Sequence, residues 1–227
     1  MAVRRLMGAL TLGLGLVVAL FWLLPTGSAA AGTWRYVATS GRDLIPAGEL
    51  FIVNDCTVSG DPCRTVQHAV DWAAVGDTVV VAAGTYTSTG AAVVSINKSV
   101  GLWGGWDGTA TTPPVCDPPS HPTVLDGERT RRVVYIGGGV APTLRGFIIA
   151  RGWVSGTLST GAGVYVAGGS PLIAENVITD NFARDYGGGL YVAWGSVVIS
   201  ASQILSNRVI YGGGGVYLAQ GLSLIHI

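Results

Sequence analysis

Gly-Ala-Gly-Val-Tyr-Val-Ala at 161–167 returns as Gly-Gly-Gly-Leu-Tyr-Val-Ala at 187–193 and as Gly-Gly-Gly-Val-Tyr-Leu-Ala at 213–219. The interval is 26 residues both times. The intervening residues keep register: Ile173, Ile199 and Ile225 align, as do Ile178 with Ile204 and Asn181 with Asn207. A fixed period of this length means a stacked repeat, in which each unit buries its apolar side only against its neighbours. Each unit offers about three short strands, clearest at 164–166, 171–174 and 177–179. A propeller blade needs about 40 residues and four strands, and helical arrays need helix pairs. What remains is an all-β, right-handed parallel β-helix, with one turn of chain per coil and coils stacked at about 4.8 Å. Tyr should then lie on Tyr, Ile on Ile, and Asn181 over Asn207 as an amide ladder at a turn where Asn adopts left-handed backbone.

Working outward, the period extends into 123–152 if Tyr135 aligns with Tyr165 at an offset of 30. The four extra residues fit a loop at 153–157, and the offset maps Leu144 to Ala174, Gly146 to Asn176 and Ile148 to Ile178. Upstream, residues 32–60 hold short strands leading into the stack, around Arg35–Val37 and Leu50–Val53, and the solenoid occupies 61–227. A helix is expected after Asp61 as N-cap and Pro62 as first helical residue. It would turn Val66, Ala69, Val70 and Ala73 to one side and end at Gly76. His68 and Asp71, three apart, read as a solvated face of that helix in preference to a dyad. Between Trp106 and Pro122 a Pro- and Thr-rich insertion carrying Cys116 leaves the stack.

Composition sets limits on function. Thirty-five glycines without a Gly-X-Y period serve tight turns and close backbone approach. Formal net charge is zero and charged residues are 11%. No basic stripe appears, which argues against a nucleic-acid partner. The run Arg129, Arg131 and Arg132 reads as a solvated turn. The triple glycines precede strands and recur in every coil, so they do not form a phosphate loop, and no motif calls for a cofactor.

Residues 1–31 read as a signal peptide. Arg4 and Arg5 precede an apolar stretch from Leu6 to Leu24, and Ala29–Ala31 offer small residues for cleavage. The alternative is an uncleaved anchor, since 19 residues just span a bilayer. Membrane contact is expected only through this segment. Export would place Cys56, Cys63 and Cys116 in an oxidising compartment. Cys56 and Cys63, separated by a Gly60-Asp61-Pro62 turn, are the expected disulfide. Cys116 is left over, so either the pairing differs or a partner is missing. Three Cys without matching His spacing do not make a zinc pattern, and no metal site is expected.

Pro62–Val70 followed by Gly76–Tyr86 (Gly-Asp-Thr-Val-Val-Val-Ala-Ala-Gly-Thr-Tyr) resembles the N-terminal cap and first coil of pectin-lyase-like β-helix proteins. Pro122–Gly127 resembles the next coil. The Asn-x-Ile-x-x-Asn and Gly-Gly-Gly-Val-Tyr pattern is similar to bacterial surface proteins related to polymorphic outer-membrane proteins. The resemblance covers about 60–225. It implies a capping helix over the open end of the stack, and a family of polysaccharide lyases, glycosidases and non-catalytic proteins.

Lyases of that family hold calcium with clustered carboxylates, and its glycosidases use paired Asp. Here Glu175 maps to Ala201, Asp180 to Ser206 and Asp185 to Tyr211, so no acidic pair stacks between adjacent coils. No catalytic residue is assigned. Trp153 and Trp194 are the candidate glycan-stacking residues, and Trp194 replaces Gly168 of the preceding coil at an edge. The expectation is an exported, non-catalytic surface protein that is adhesive or binds a polysaccharide or cell-surface glycan. The alternatives are a polysaccharide lyase or glycoside hydrolase, and a passenger domain of an outer-membrane secreted protein. The final Leu222–Ile227, with no capping pattern, reads as a truncation.

Overall fold

The computed structural model describes residues 32–47, 50–220 and 222–226. The targeting segment assigned to 1–31 lies outside them. The chain forms a parallel β-helix. The first coil holds Thr78–Ala82, Gly84–Tyr86 and Ala92–Ile96, and the second Gly101–Trp106, Thr123–Asp126 and Arg132–Ile136. The third coil adds a fourth, two-residue strand: Thr143–Arg145, Phe147–Ala150, Trp153–Val154 and Val164–Val166. The fourth repeats this plan with Leu172–Ala174, Val177–Thr179, Phe182–Ala183 and Leu190–Val192. The fifth has Ser196–Ser200, Gln203–Leu205, Arg208–Val209 and Val216–Leu218. The opening strands of successive coils, preceded by Trp34–Val37 and followed by Leu222–His226, make a seven-stranded parallel sheet. The second strands and the last strands make two five-stranded sheets.

The core consists of columns one residue wide. Val79, Leu102, Leu144, Ile173 and Ile199 stack in register on the seven-stranded sheet, all fully buried. Tyr86, Leu125, Ile149 and Ile178 form the facing column. Each such side chain removed from water is worth about 1.5–3 kcal/mol. The column fixes register, because a one-residue slip would turn every inward side chain outward.

That register corrects the repeat alignment. Tyr135 does pair with Tyr165, but Leu144 pairs with Ile173 and Ile149 with Ile178, so the offset there is 29, not 30. One extra residue lies in the turn 137–142, which has six residues where 167–171 has five. The other three lie in the loop 155–159, because Trp153–Val154 is itself a strand paired with Phe182–Ala183. The helix is also shorter than expected. It runs Val66–Trp72 with Thr65 as N-cap, whose hydroxyl accepts from the His68 N–H. Cys63 cannot join it, since its backbone bridges to Val37, and Asp61 pairs with Arg42 instead.

The helix buries Val66, Ala69 and Val70 over the first coil. The Gln67 side chain pairs with both the N–H and the carbonyl of Ser95, standing in for a neighbouring strand at that sheet's edge. Lys98 Nζ donates to the carbonyls of Val70, Asp71 and Ala73, closing the helix C-terminus. Asp77 accepts from the backbone N–H groups of Thr33 and Ala74 and from Arg35, tying strand, helix end and first coil together. The insertion 107–122 folds back over the outer face of the seven-stranded sheet, where Trp106, Tyr36 and Val80 form a small second core with Trp103 and Cys116.

Two columns explain many glycines. Gly161, Gly187 and Gly213 hold the left-handed backbone that turns the chain into each tyrosine strand (φ 63°, 62° and 67°). At Gly163 a Cβ would lie 2.4 Å from the Gly189 carbonyl oxygen, so the coils could not close.

Candidate functional site

The outward side of the last sheet carries the most regular feature of the surface. Tyr135, Tyr165, Tyr191 and Tyr217 occupy one register position in four consecutive coils. Their rings lie nearly parallel, with centroids 5.6, 5.3 and 5.6 Å apart and interplanar angles of 5°, 13° and 2°. Rings stacked along the coil axis cover one another's faces, so solvent meets their edges and hydroxyls. Aromatic edges are electropositive. Among the described residues none of the four hydroxyls has a protein hydrogen-bond partner, and none is a buried orphan. Burial, with the neighbouring phenols Tyr165, Tyr217 and Tyr186, raises the Tyr191 pKa, keeping it protonated.

A wall rises beside this ladder from the turns that precede each tyrosine strand. Tyr186 packs on Tyr217 at 4.5 Å and Tyr211 lies 6.4 Å from Tyr186. The three residues inserted at 155–159 project Leu158 over the groove, and it is 83% exposed. Between ladder and wall lies a cleft of about 460 Å³, lined by Tyr135, Tyr165, Tyr191, Leu158, Asp185 and Tyr186 among others. A smaller one of about 310 Å³ adjoins it on the far side of Leu158, toward Tyr211.

Arg132 supports the ladder from below. Its Nε and Nη2 donate to the carbonyls of Gly161 and Thr160, and its guanidinium lies 4.6 Å from the Tyr165 ring centroid. Burial lowers its pKa, with Tyr165 and Tyr135 acting in the opposite direction. The reading of Arg132 as part of a solvated turn is therefore corrected: a cation over a ring is stabilised most when water is excluded. Asp185 accepts from the Ser159 N–H at 2.7 Å, which anchors the inserted loop.

Trp194 stands 60% exposed in the turn after the third tyrosine strand, Leu190–Val192, and its Cβ lies over Gly168 of the coil before. Trp153 stacks on Phe182 at 4.3 Å, so the ring is half-buried and one face is covered. Neither lines the tyrosine cleft. The repeat revealed the tyrosine ladder itself, but Leu158, Tyr186 and Arg132 gave no repeating signal. Tyr186 is matched by Thr160 and Gly212 in its neighbours, so its column has no fixed chemistry.

The charged turn after the second sheet is more organised than the sequence suggests. Arg151, Asp180 and Ser206 share one left-handed position (φ 55°, 53° and 53°) in successive coils. Left-handed backbone thus falls on the residue before Asn181, not on Asn181. Arg151 pairs with the buried Asp126 and Arg129 with Asp180 at 2.5 Å, while in the turn before the second sheet Arg145 pairs with Glu175 at 2.9 Å. Arg184 is 4.0 Å from Asp185 and not paired with Asp180. Each carboxylate of this strip is thereby neutralised by an arginine.

Cys56 and Cys63 form a disulfide with Cα atoms 5.1 Å apart. These two and His68 are the only His/Cys/Asp/Glu trio among the described residues with ligand atoms within 4.8 Å of one another. With the sulfurs joined neither offers a thiolate, and His68 Nε2 donates to the Asn54 carbonyl at 2.7 Å. Asp71 accepts from Gln67, so His68 and Asp71 form no dyad. Cys116 is free and half-buried, and burial pushes its thiol up to about 11.

Stacked parallel coils, a capping helix and a continuous aromatic strip define a β-helix solenoid that presents a surface. Within that class the chain belongs to the family described as protein of unknown function DUF1565, which matches residues 53–216. No curated protein and no solved structure gives a significant match.

Proposed function

We propose that this chain is an exported β-helix surface protein that holds a polysaccharide or cell-surface glycan along its tyrosine face without cleaving it. The observation that carries the reading is the row of four phenol hydroxyls at one-coil intervals, none with a protein partner among the described residues. A polymer with a repeating set of hydroxyls meets a repeating set of donors, acceptors and electropositive ring edges. Export rests on the apolar segment after Arg4 and Arg5. Kinship with the pectin-lyase-like superfamily, and with its branch of polymorphic outer-membrane-like surface proteins, rests on the cap and repeat motifs and belongs to the same proposal.

The lyase or glycosidase reading is less well supported. Such chemistry needs carboxylates available to a metal, a water or a leaving group. Asp126, Glu175 and Asp180 are instead occupied by Arg151, Arg145 and Arg129. Electrophoresis of the protein through gels containing different polysaccharides tests the proposal. Retardation by at least one polymer, lost in the Tyr165→Ser/Tyr191→Ser double variant, is the expected result. Retardation by none of the polymers, or release of unsaturated uronates with added calcium, would overturn it.

A further inference from the structure

Resting on that reading, we infer that the cleft between the tyrosine ladder and Leu158 takes a neutral glycan, gripped between the ring edges and an apolar lip, and not a polyuronate. The charges of the cleft are already accounted for. Arg132 is its cation, and it is committed to the Gly161 and Thr160 carbonyls and to the Tyr165 ring. Within this cleft a sugar carboxylate would find no open guanidinium fork of the kind that recognises anions; Arg184 lines only the smaller adjoining cleft, 4.0 Å from the Asp185 carboxylate. The sugar carboxylate would meet Asp185, a residue that lines both adjoining clefts. Asp185 is held by the Ser159 N–H, and a carboxylate so placed accepts hydrogen bonds from sugar hydroxyls.

The lip carries a second sign of use. Leu158 has left-handed backbone (φ 56°) with a bulky side chain almost fully in solvent. Glycine would adopt that conformation at lower cost, and no burial repays the leucine in the free protein. Unrewarded strain in a loop beside a cleft is characteristic of ligand-gripping positions. An apolar side chain opposite the ladder would cover the C–H side of a pyranose whose hydroxyls face the phenols.

The test is calorimetric titration of the protein with a neutral β-glucan hexasaccharide and with hexagalacturonate, between about 0.05 and 0.5 M salt, where screening changes strongly. The expected result is tighter binding of the neutral sugar, unchanged across that range. Leu158→Gly is expected to weaken it about tenfold, equivalent to about 1.4 kcal/mol, while the Tm rises. Tighter binding of hexagalacturonate, falling with salt, would overturn the neutral class and leave the glycan reading standing. Neutral-sugar binding unaltered by Leu158→Gly but abolished by Tyr165→Ser would overturn the lip. Binding of neither sugar, with no retardation in any polysaccharide gel, would overturn this inference and the glycan reading together.

Discussion

Replacing Asn181 by alanine tests how the coils are held together. Asn181 is 1% exposed and sits inside the turn after the second sheet. Its Oδ1 accepts from the Gly152 N–H at 2.7 Å, one coil back. Its Nδ2 donates to the Ile149 carbonyl at 3.0 Å and to Asn207 Oδ1 at 2.9 Å, one coil forward. Alanine leaves the Gly152 N–H buried without its acceptor, which costs about 1–3 kcal/mol, and deletes two further bonds worth about 1 kcal/mol each. The expected loss is about 3 kcal/mol or somewhat more, and for a domain of this size it lowers Tm by about 6–12 °C. Urea unfolding followed by tryptophan fluorescence measures it. Asn207→Ala should cost less, because Asn207 is half-buried and the Asn181 bonds to the third coil survive. A loss below about 1 kcal/mol for Asn181→Ala would refute the reasoning, since it would mean that water or backbone shifts replace the ladder at no cost.

Three further outcomes follow from the same geometry. Gly163→Ala should destabilise by about 1–3 kcal/mol, as overpacking against backbone does, because its Cβ would meet the Gly189 carbonyl at 2.4 Å; Gly138→Ala, with nothing within 4 Å, should be neutral in the same thermal melts. Burial works against the charge of Asp77, but hydrogen bonds from Ala74, Thr33 and Arg35 outweigh it and lower the pKa below 3.8. A depressed carboxylate contributes stability above its unfolded pKa and loses it as pH falls through the folded value, so Asp77→Asn should flatten the acid limb of a stability profile below about pH 4. Lys98→Met should loosen the capping helix by removing donors to three carbonyls, seen as faster amide exchange at Val66–Trp72 with the last coils unchanged.

The sequence carried the coil because its period is written in side chains with strong preferences. Tyr at 165, 191 and 217 and Ile at 173 and 199 can occupy only one column each. The one-residue insertion at 137–142 was illegible, since Gly137-Gly138-Gly139 offers no side chain to align. The N-cap lies further along than residue type alone suggests, for a related reason. Asp61 is a good cap by type, but Cys63 is held by its disulfide and by Val37, so the helix begins after Thr65. The Asp126–Arg151 and Arg129–Asp180 pairs join residues 25 and 51 apart, and neither separation is visible until the turns are stacked. Arg132 reads as one of a solvated run because nothing local tells that the tyrosines of two coils pack against it.

A crystal structure of the protein with a bound neutral hexasaccharide tests the central claim most directly. The account predicts sugar hydroxyls within hydrogen-bond distance of the Tyr165 and Tyr191 phenols, with Leu158 against the opposite side of the chain. A sugar seated elsewhere, with the tyrosine row still facing only water, would contradict it.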